Sequence, residues 1–249
     1  MYYLKFILIF SVFLVFNTFC SFSQSLIVGI PSADIAEKGN IEITHESQVN
    51  FWEKPNSWNS FNFFCYGINK RTEATLAFNN MNSSGSDNLS LGLGGKHVIP
   101  LTDSKWETKI TAGSNLLYSI PRKDIGYWVY SHLSFRLPKT KTRLTGGLSY
   151  GTEQSFGFRR FTNEEGVFQT KPIRPLSVML GFEQHLFKNV SLVADWYSGT
   201  HDLAALITAI QIDIKHHVLI FGYKLPNNLE KSGHALVLEF MISLPTRKK

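Results

Sequence analysis

The chain has 249 residues, enough for one or two ordinary domains; aromatic residues make up 14% of it and charged residues only 18%. The formal net charge is +6, and loss of Lys5 with an N-terminal leader would leave +5. The cations are scattered and form no basic stripe, so nucleic acid is not an expected partner. After residue 24 no stretch approaches the roughly 20 continuous apolar residues of a spanning helix, which excludes a helical membrane protein.

The first 23 residues have the features of a secretory signal peptide. Lys5 precedes an apolar run over residues 6–16, and Ser21 and Ser23 occupy the small-residue positions of a cleavage site before Gln24. The apolar run is too short for a membrane anchor, and a polar region follows it. We therefore predict a signal peptide over residues 1–23, an N-terminal periplasmic or luminal segment over 24–39 and a barrel domain over 40–249.

The rest of the chain reads as about twelve short segments in which apolar and polar residues alternate. They cover 40–52, 57–68, 71–79, 88–99, 105–117, 126–137, 142–152, 174–186, 190–198, 203–214, 217–225 and 233–244. In "TRLTGGLSYG" (142–151), for example, Leu144 and Leu148 lie on one face and Arg143 and Thr145 on the other. Such segments, about ten residues long and separated by turn residues, are typical of a transmembrane β-barrel.

A soluble β-sandwich also shows this alternation, because its polar face is the solvated outer surface. Two features favour a barrel. Strands of nine to thirteen residues suit a tilted membrane span, and aromatic residues recur at strand ends, where they would anchor the barrel at the two interfaces: Phe51, Trp52, Trp58, Trp106, Tyr118, Tyr127, Trp128, Trp196 and Tyr223. The connections after even-numbered segments are also shorter than most of those after odd-numbered ones, as in membrane barrels with both termini in the periplasm. We predict a closed antiparallel up-and-down transmembrane β-barrel of about twelve strands.

Charged residues near segment centres fall on the face opposite the apolar one, and this face would line the lumen. The predicted lumen charge network consists of Glu183, Asp195, Arg143, Lys109, Arg136 and Glu239. A hairpin turning at residues 187–189 would pair Leu186 with Val190 and bring Glu183 and Asp195 close together on the luminal face. Such a network either braces a small barrel or selects a cationic or polar solute.

From about residue 28 the chain resembles a family of bacterial outer-membrane β-barrel proteins, described as porins, whose function is not established. The matching stretches are "PSADIAEKGNIEI" (31–43), "GFEQHLFKNVSLVADWYSGTH" (181–201) and "GHALVLEF" (233–240). The central stretch carries a hairpin motif that includes Gly181, Gln184, Trp196 and Gly199. The resemblance implies a barrel of twelve strands or close to it in the bacterial outer membrane, and it does not imply an enzyme. The terminal "SLPTRKK" departs from the aromatic residue at which such barrels usually end.

The expected function is porin-like passage or binding of a small polar solute by an exported protein whose other partner is outer-membrane lipid. Alternatives are a lipid-modifying enzyme of the lipase or deacylase type, because Ser and His residues are present, and a structural barrel with an occluded lumen. No G-x-S-x-G motif and no zinc-ligand spacing occur in the sequence, so we assign no catalytic residue, no metal and no cofactor. The oligomeric state and the solute are not predicted. Cys65 is the only cysteine after the leader and has no internal disulfide partner.

Overall fold

The computed structural model describes the chain from residue 26 to residue 245 apart from a few short gaps. The described ranges are 26–52, 56–80, 89–102, 105–157, 159–162, 168–171, 174–227 and 233–245. The predicted signal peptide and the basic tail at 246–249 lie outside the described residues. Among the described residues, no helix is long and apolar enough to cross a membrane.

Twelve strands form one closed barrel, and a separate two-stranded sheet lies in the connection between the seventh and eighth barrel strands. The strands are β1 (Ile41–Asn50), β2 (Ser57–Asn69), β3 (Thr72–Asn79), β4 (Ser90–Pro100), β5 (Lys109–Ser119), β6 (Asp124–Arg136), β7 (Arg143–Gly151), β8 (Arg159–Thr162), β9 (Phe168–Lys171), β10 (Leu176–Phe187), β11 (Val190–Tyr197), β12 (Ala205–Ile214), β13 (His217–Pro226) and β14 (Ala235–Leu244). A single helical turn, α1 (Glu153–Phe156), precedes β8. β8 and β9 pair only with each other.

Every barrel strand pairs antiparallel with its neighbours in chain order, and β1 closes the barrel against β14. Closure pairs the backbone N–H and C=O groups of both edge strands, which lipid could not satisfy. The predicted fold class, a closed up-and-down barrel of twelve strands, is therefore confirmed.

The two ends of the barrel differ in their connections. One end, here called the turn end, carries the start of β1, the end of β14 and the connections 70–71, 101–108, 137–142, 188–189 and 215–216. The opposite loop end carries 51–56, 80–89, 120–123, 152–175, 198–204 and 227–234. The predicted asymmetry in length holds less strictly than expected, because β5 begins only at Lys109 and lengthens the 101–108 connection.

The outer face of the barrel is apolar and exposed. Leu93 and Leu116 are 64% and 60% exposed, and Leu238 and Phe240 on β14 also point outward. Exposed aromatic side chains lie at both ends, with Trp52, Tyr118, Tyr127 and Tyr150 at the loop end and Trp106 and Phe187 at the turn end. The prediction was wrong for Trp128, which points inward and packs against the buried cluster. An apolar band between two aromatic belts is the surface that a membrane-spanning barrel presents to lipid.

The inner face is filled by residues 26–39, here called the luminal segment. Val28, Ile30 and Ala36 of this segment are completely buried. Ile27, Val28 and Ile30 pack in one cluster with inward side chains of β10–β14, which include Met179, Val193, Ile207, Ile220 and Val237. The inner face is therefore not charged throughout, because inward side chains of β10–β14 bury the apolar residues of the luminal segment.

Candidate functional site

The luminal segment turns back on itself in the middle of the barrel. Leu26 forms an antiparallel bridge with Pro31, and the N–H of Ile27 donates to the carbonyl of Ile30 at 2.8 Å. This hairpin directs three successive N–H groups of its tip towards the same part of the barrel wall. A concave run of backbone N–H groups of this kind binds an anion.

The anion is the carboxylate of Asp195 on β11. Its Oδ2 accepts the N–H groups of Val28, Gly29 and Ile30 at 3.0, 2.7 and 3.2 Å. Asp195 is only 2% exposed, so these bonds replace the water that the carboxylate loses on burial. Asp195 therefore anchors the tip of the luminal segment.

Two glycines of the wall allow the segment to approach closely. Gly181 pairs with Asp195 across the β10–β11 hairpin, and a Cβ at Gly181 would lie 2.5 Å from Cδ1 of Ile27. A Cβ at Gly67 would lie 2.2 Å from the carbonyl oxygen of Glu37. The backbone also joins β2 here, because Gly39 donates its N–H to the carbonyl of Gly67 at 2.7 Å.

Ion pairs hold the segment nearer the turn end. The Asp34 carboxylate accepts from Lys109 Nζ at 2.9 Å and from Arg143 at 2.6 Å, and Arg143 also contacts Glu183 at 3.3 Å. Burial alone would raise the pKa of Asp34, but the charges of Arg143 and Lys109 outweigh burial and hold that pKa well below its usual range. Asp34 is thus the partner that joins three residues of the predicted charge network.

A second charged pair binds the backbone of the same segment. Oε2 of Glu73 accepts the N–H of Ala36 at 2.8 Å, and Lys96 Nζ donates to the carbonyl of Ser32 at 3.3 Å. Lys96 and Glu73 lie 3.5 Å apart, and both side chains are 2% exposed. The sequence analysis missed this pair, although Glu73 and Lys96 occupy luminal positions of adjacent strands and face each other in register.

The remaining residues of the predicted network lie elsewhere. Arg136 contacts Glu107 at 3.5 Å near the turn end, where both side chains are partly exposed. Glu239 is buried and stands opposite Glu46 in the β1–β14 register. Beside Glu46, Gln48 Nε2 donates to its Oε1 at 2.6 Å, and Lys224 donates to Gln48 Oε1 at 2.9 Å. The predicted set is therefore divided among several groups.

The other residues of the predicted hairpin motif lie at both ends of the barrel and have different contacts. Gln184 Nε2 donates to the carbonyl of Thr140 at 3.0 Å and so ties β10 to the 137–142 connection. Trp196 Nε1 donates to Asn227 Oδ1 at 2.9 Å, and Gly199 has a φ of 108° in a loop-end connection. The register departs from the expected one at its turn, because Phe187 pairs with Val190 and an irregularity falls between His185 and Phe187.

One buried Ser–His pair occurs near the loop end. Ser177 Oγ and His201 Nε2 lie 2.8 Å apart, and the His201 ring stacks on Phe156 with centroids 4.5 Å apart. Burial lowers the pKa of His201 to about 4, so the ring is neutral at pH 7. Ser177 and His201 are 1% and 4% exposed, which gives a substrate no access to them. We interpret the pair as a bond that holds the 198–204 connection against β10. Within the described ranges, no group of three or more His, Cys, Asp or Glu side chains could hold a metal ion.

Comparison with solved structures identifies the fold. The chain is similar to the NanC porin, with 12% identity, a TM-score of 0.50 and coverage of 84% of this chain and 100% of that one. It is similar to the KdgM porin in complex with disordered oligogalacturonate, with 9% identity, a TM-score of 0.51 and coverage of 82% and 99%. It is also similar to an outer-membrane channel from Pseudomonas putida F1, with 10% identity, a TM-score of 0.51 and coverage of 84% and 97%.

These similarities show that the chain has the fold of a closed β-barrel of the kind found in bacterial outer-membrane porins. At such identities the likeness concerns the fold alone. A comparison with protein-family models and another with curated proteins each found no match.

Proposed function

We propose that this protein is a porin-like outer-membrane barrel that passes or binds a small polar solute, and that the luminal segment closes it in the state described. The observation that carries the proposal is that residues 26–39 are attached to the inner wall without a covalent bond, by hydrogen bonds and ion pairs beside the apolar cluster. An eight-stranded barrel is filled by its own side chains, and a sixteen-stranded one leaves an aqueous channel. A barrel of twelve strands lies between these cases, and here a chain segment occupies the lumen.

The polar contacts of the luminal segment favour reversible docking, in which the segment can leave the lumen. A permanently filled barrel could be packed with apolar side chains alone, since a buried ion pair is often no more stable than apolar residues of similar volume. Here Asp34, Lys109, Arg143 and Glu183 would regain water if the segment left the lumen. Undocking is therefore less costly than the exposure of a wholly apolar plug of the same length.

Conduction in planar bilayers tests the proposal. We expect the refolded protein to give few openings, and a variant lacking residues 26–38 to conduct steadily, because its lumen loses the segment. Asp34→Ala should lie between the two. Folding is checked by the heat-modifiable migration that intact barrels show on gels. A folded deletion variant that carries no current at any voltage would contradict the channel and favour a structural barrel with an occluded lumen.

Export and location are part of the same proposal. An N-terminal signal peptide over residues 1–23 would direct the chain across the inner membrane, and the exposed apolar band would place the barrel in outer-membrane lipid. Membrane fractionation and N-terminal sequencing of the mature protein test both statements. Recovery of the folded protein in buffer without detergent would contradict the location.

A lipid-modifying enzyme is the second candidate, and the Ser177–His201 hydrogen bond is the observation in its favour. Burial of both side chains argues against it. The test is release of fatty acid from phospholipid or lipid A by the purified barrel, compared with the His201→Ala variant. Release that the variant loses would promote the enzyme, and equal absence of release in both would retire it.

A further inference from the structure

Charge is distributed unequally between the connections at the two ends of the barrel. The turn-end connections contain seven cations and two acidic residues, whereas the loop-end connections contain eight cations and seven acidic residues. One of the two turn-end acidic residues, Glu107, already contacts Arg136 at 3.5 Å. The turn end therefore carries an excess of positive charge. Along the sequence these cations are scattered, and only the closed barrel brings them to one end.

The turn-end cations are distributed around the barrel. We call them the basic ring, which consists of Lys70, Arg71, Lys105, Lys139, Lys141, Lys188 and Lys215. Each of the five turn-end connections carries at least one of them, and all seven residues are exposed. Apart from Lys188, none of them forms an ion pair with a carboxylate within the described ranges of the chain. The basic ring is therefore available to an anion outside the protein.

The basic ring lies directly beyond the apolar band of the outer face. The exposed Phe187 immediately precedes Lys188, and the exposed Ile68 lies two residues before Lys70. A strand rises about 3.3 Å per residue, so these cations lie within about 7 Å of the band. The interfacial layer on each side of the hydrocarbon core is about 5–8 Å thick. The basic ring is therefore at the depth of the lipid headgroups.

The position of the basic ring favours lipid over a soluble acidic partner. A globular partner would cover one side of the barrel end, whereas the cations lie on all five connections. Lipids surround a barrel completely and place a phosphate group beside each connection. In a zwitterionic phospholipid the amine compensates that phosphate, but an anionic phospholipid keeps its net charge and attracts basic residues near the membrane surface.

We propose that the basic ring binds the phosphate groups of anionic phospholipids in the leaflet around the turn end. The proposal rests on the proposed membrane location, because it names the class of lipid that the barrel prefers there. It depends neither on conduction nor on docking of the luminal segment.

Electron spin resonance of spin-labelled lipids tests the proposal. The full-length barrel is reconstituted in phosphatidylcholine vesicles with trace spin-labelled phosphatidylglycerol or phosphatidylcholine, and the immobilised fraction gives the relative association of each lipid with the protein. One basic residue near an anionic surface contributes about fivefold, and averaging over all lipid contacts of the barrel lowers this to about threefold. We expect this preference for phosphatidylglycerol at low salt and its loss at about 1 M salt, where the Debye length is about 3 Å.

Two triple variants with the same change in net charge locate the preference. Lys139→Gln/Lys141→Gln/Lys215→Gln removes three cations of the basic ring and should reduce the preference from about threefold to below about twofold. The control Arg122→Gln/Lys123→Gln/Arg174→Gln removes three exposed loop-end cations and should leave the preference near threefold. Replacement of the same three turn-end lysines by arginine keeps the charge and should restore the preference.

The outcomes separate this inference from the proposed function. Equal association of the two lipids at low salt, or equal loss of preference in both triple variants, would overturn the binding of anionic lipid by the basic ring and leave the membrane location intact. A barrel that stays in solution and does not enter vesicles would overturn both. A lipid preference in a barrel that never conducts supports the basic ring and removes passage of a solute.

Discussion

Replacement of Asp195 by alanine should release the tip of the luminal segment. The change leaves the N–H groups of Val28, Gly29 and Ile30 without their acceptor. An unsatisfied buried donor costs about 1–3 kcal/mol, and we take the lower end because water can enter and the desolvation cost of the carboxylate disappears. Three such groups give about 3 kcal/mol, which is roughly a hundredfold shift of the docking equilibrium towards the released state.

Hydrogen–deuterium exchange in detergent measures this shift directly. Amides of residues 26–31 should exchange about a hundredfold faster in Asp195→Ala, and by a smaller factor in Asp195→Asn, which keeps one acceptor oxygen. Asp213→Ala is the control, because this carboxylate on the neighbouring strand β12 accepts from Gln211 on its own strand at 2.9 Å. Equal exchange of residues 26–31 in Asp195→Ala and Asp213→Ala, with both barrels folded, would refute the anchoring role.

Three further predictions concern the same segment and the loop end. Gly181→Val should raise exchange at the tip and the open probability in bilayers, because the new side chain meets Ile27; Gly146→Ala should change neither, since its Cβ would meet only Leu180 Cδ2, 3.8 Å away. The pKa of Asp34 is depressed, so exchange protection at residues 32–36 should be constant above about pH 5 and fall below about pH 4; protection that does not change down to pH 3 would contradict the ion-pair contribution. The pKa of His201 is lowered from 6.5 to about 4, so protection of residues 198–204 should be full above pH 6.5 and decrease as the pH falls towards 4. His201→Phe should remove that pH dependence, and a variant that keeps it would show that another group titrates.

The charge network shows how far sequence reasoning reached at the candidate site. The alternation predicted one shared face for Arg143, Lys109 and Glu183, because strand geometry repeats every two residues, and in the structure Arg143 contacts Glu183 while both cations contact Asp34. It could not supply Asp34, which lies outside every strand and 109 residues from Arg143 in the chain. The sequence did contain one signal, a carboxylate in the N-terminal segment that could pair with the cations predicted to face the lumen.

For Asp195 the sequence identified the residue but predicted the wrong neighbour. Its place on the inner face followed from its strand, and a like-charged interaction with Glu183 was expected from the hairpin. In the structure the two carboxylates have different partners, since Asp195 binds three backbone N–H groups and Glu183 binds Arg143. Backbone N–H groups are the same for nearly every residue, so no sequence pattern marks them as ligands.

The sequence by itself determined the strands, their approximate number and the face that each side chain occupies, because these properties depend on local alternation and turn residues. Tertiary structure alone decided what fills the lumen. That outcome depends on which side chains, distant in the sequence, contact Ile27, Val28 and Asp34 once the twelve strands have closed. The number of residues between two positions does not determine how far apart they lie in the closed barrel.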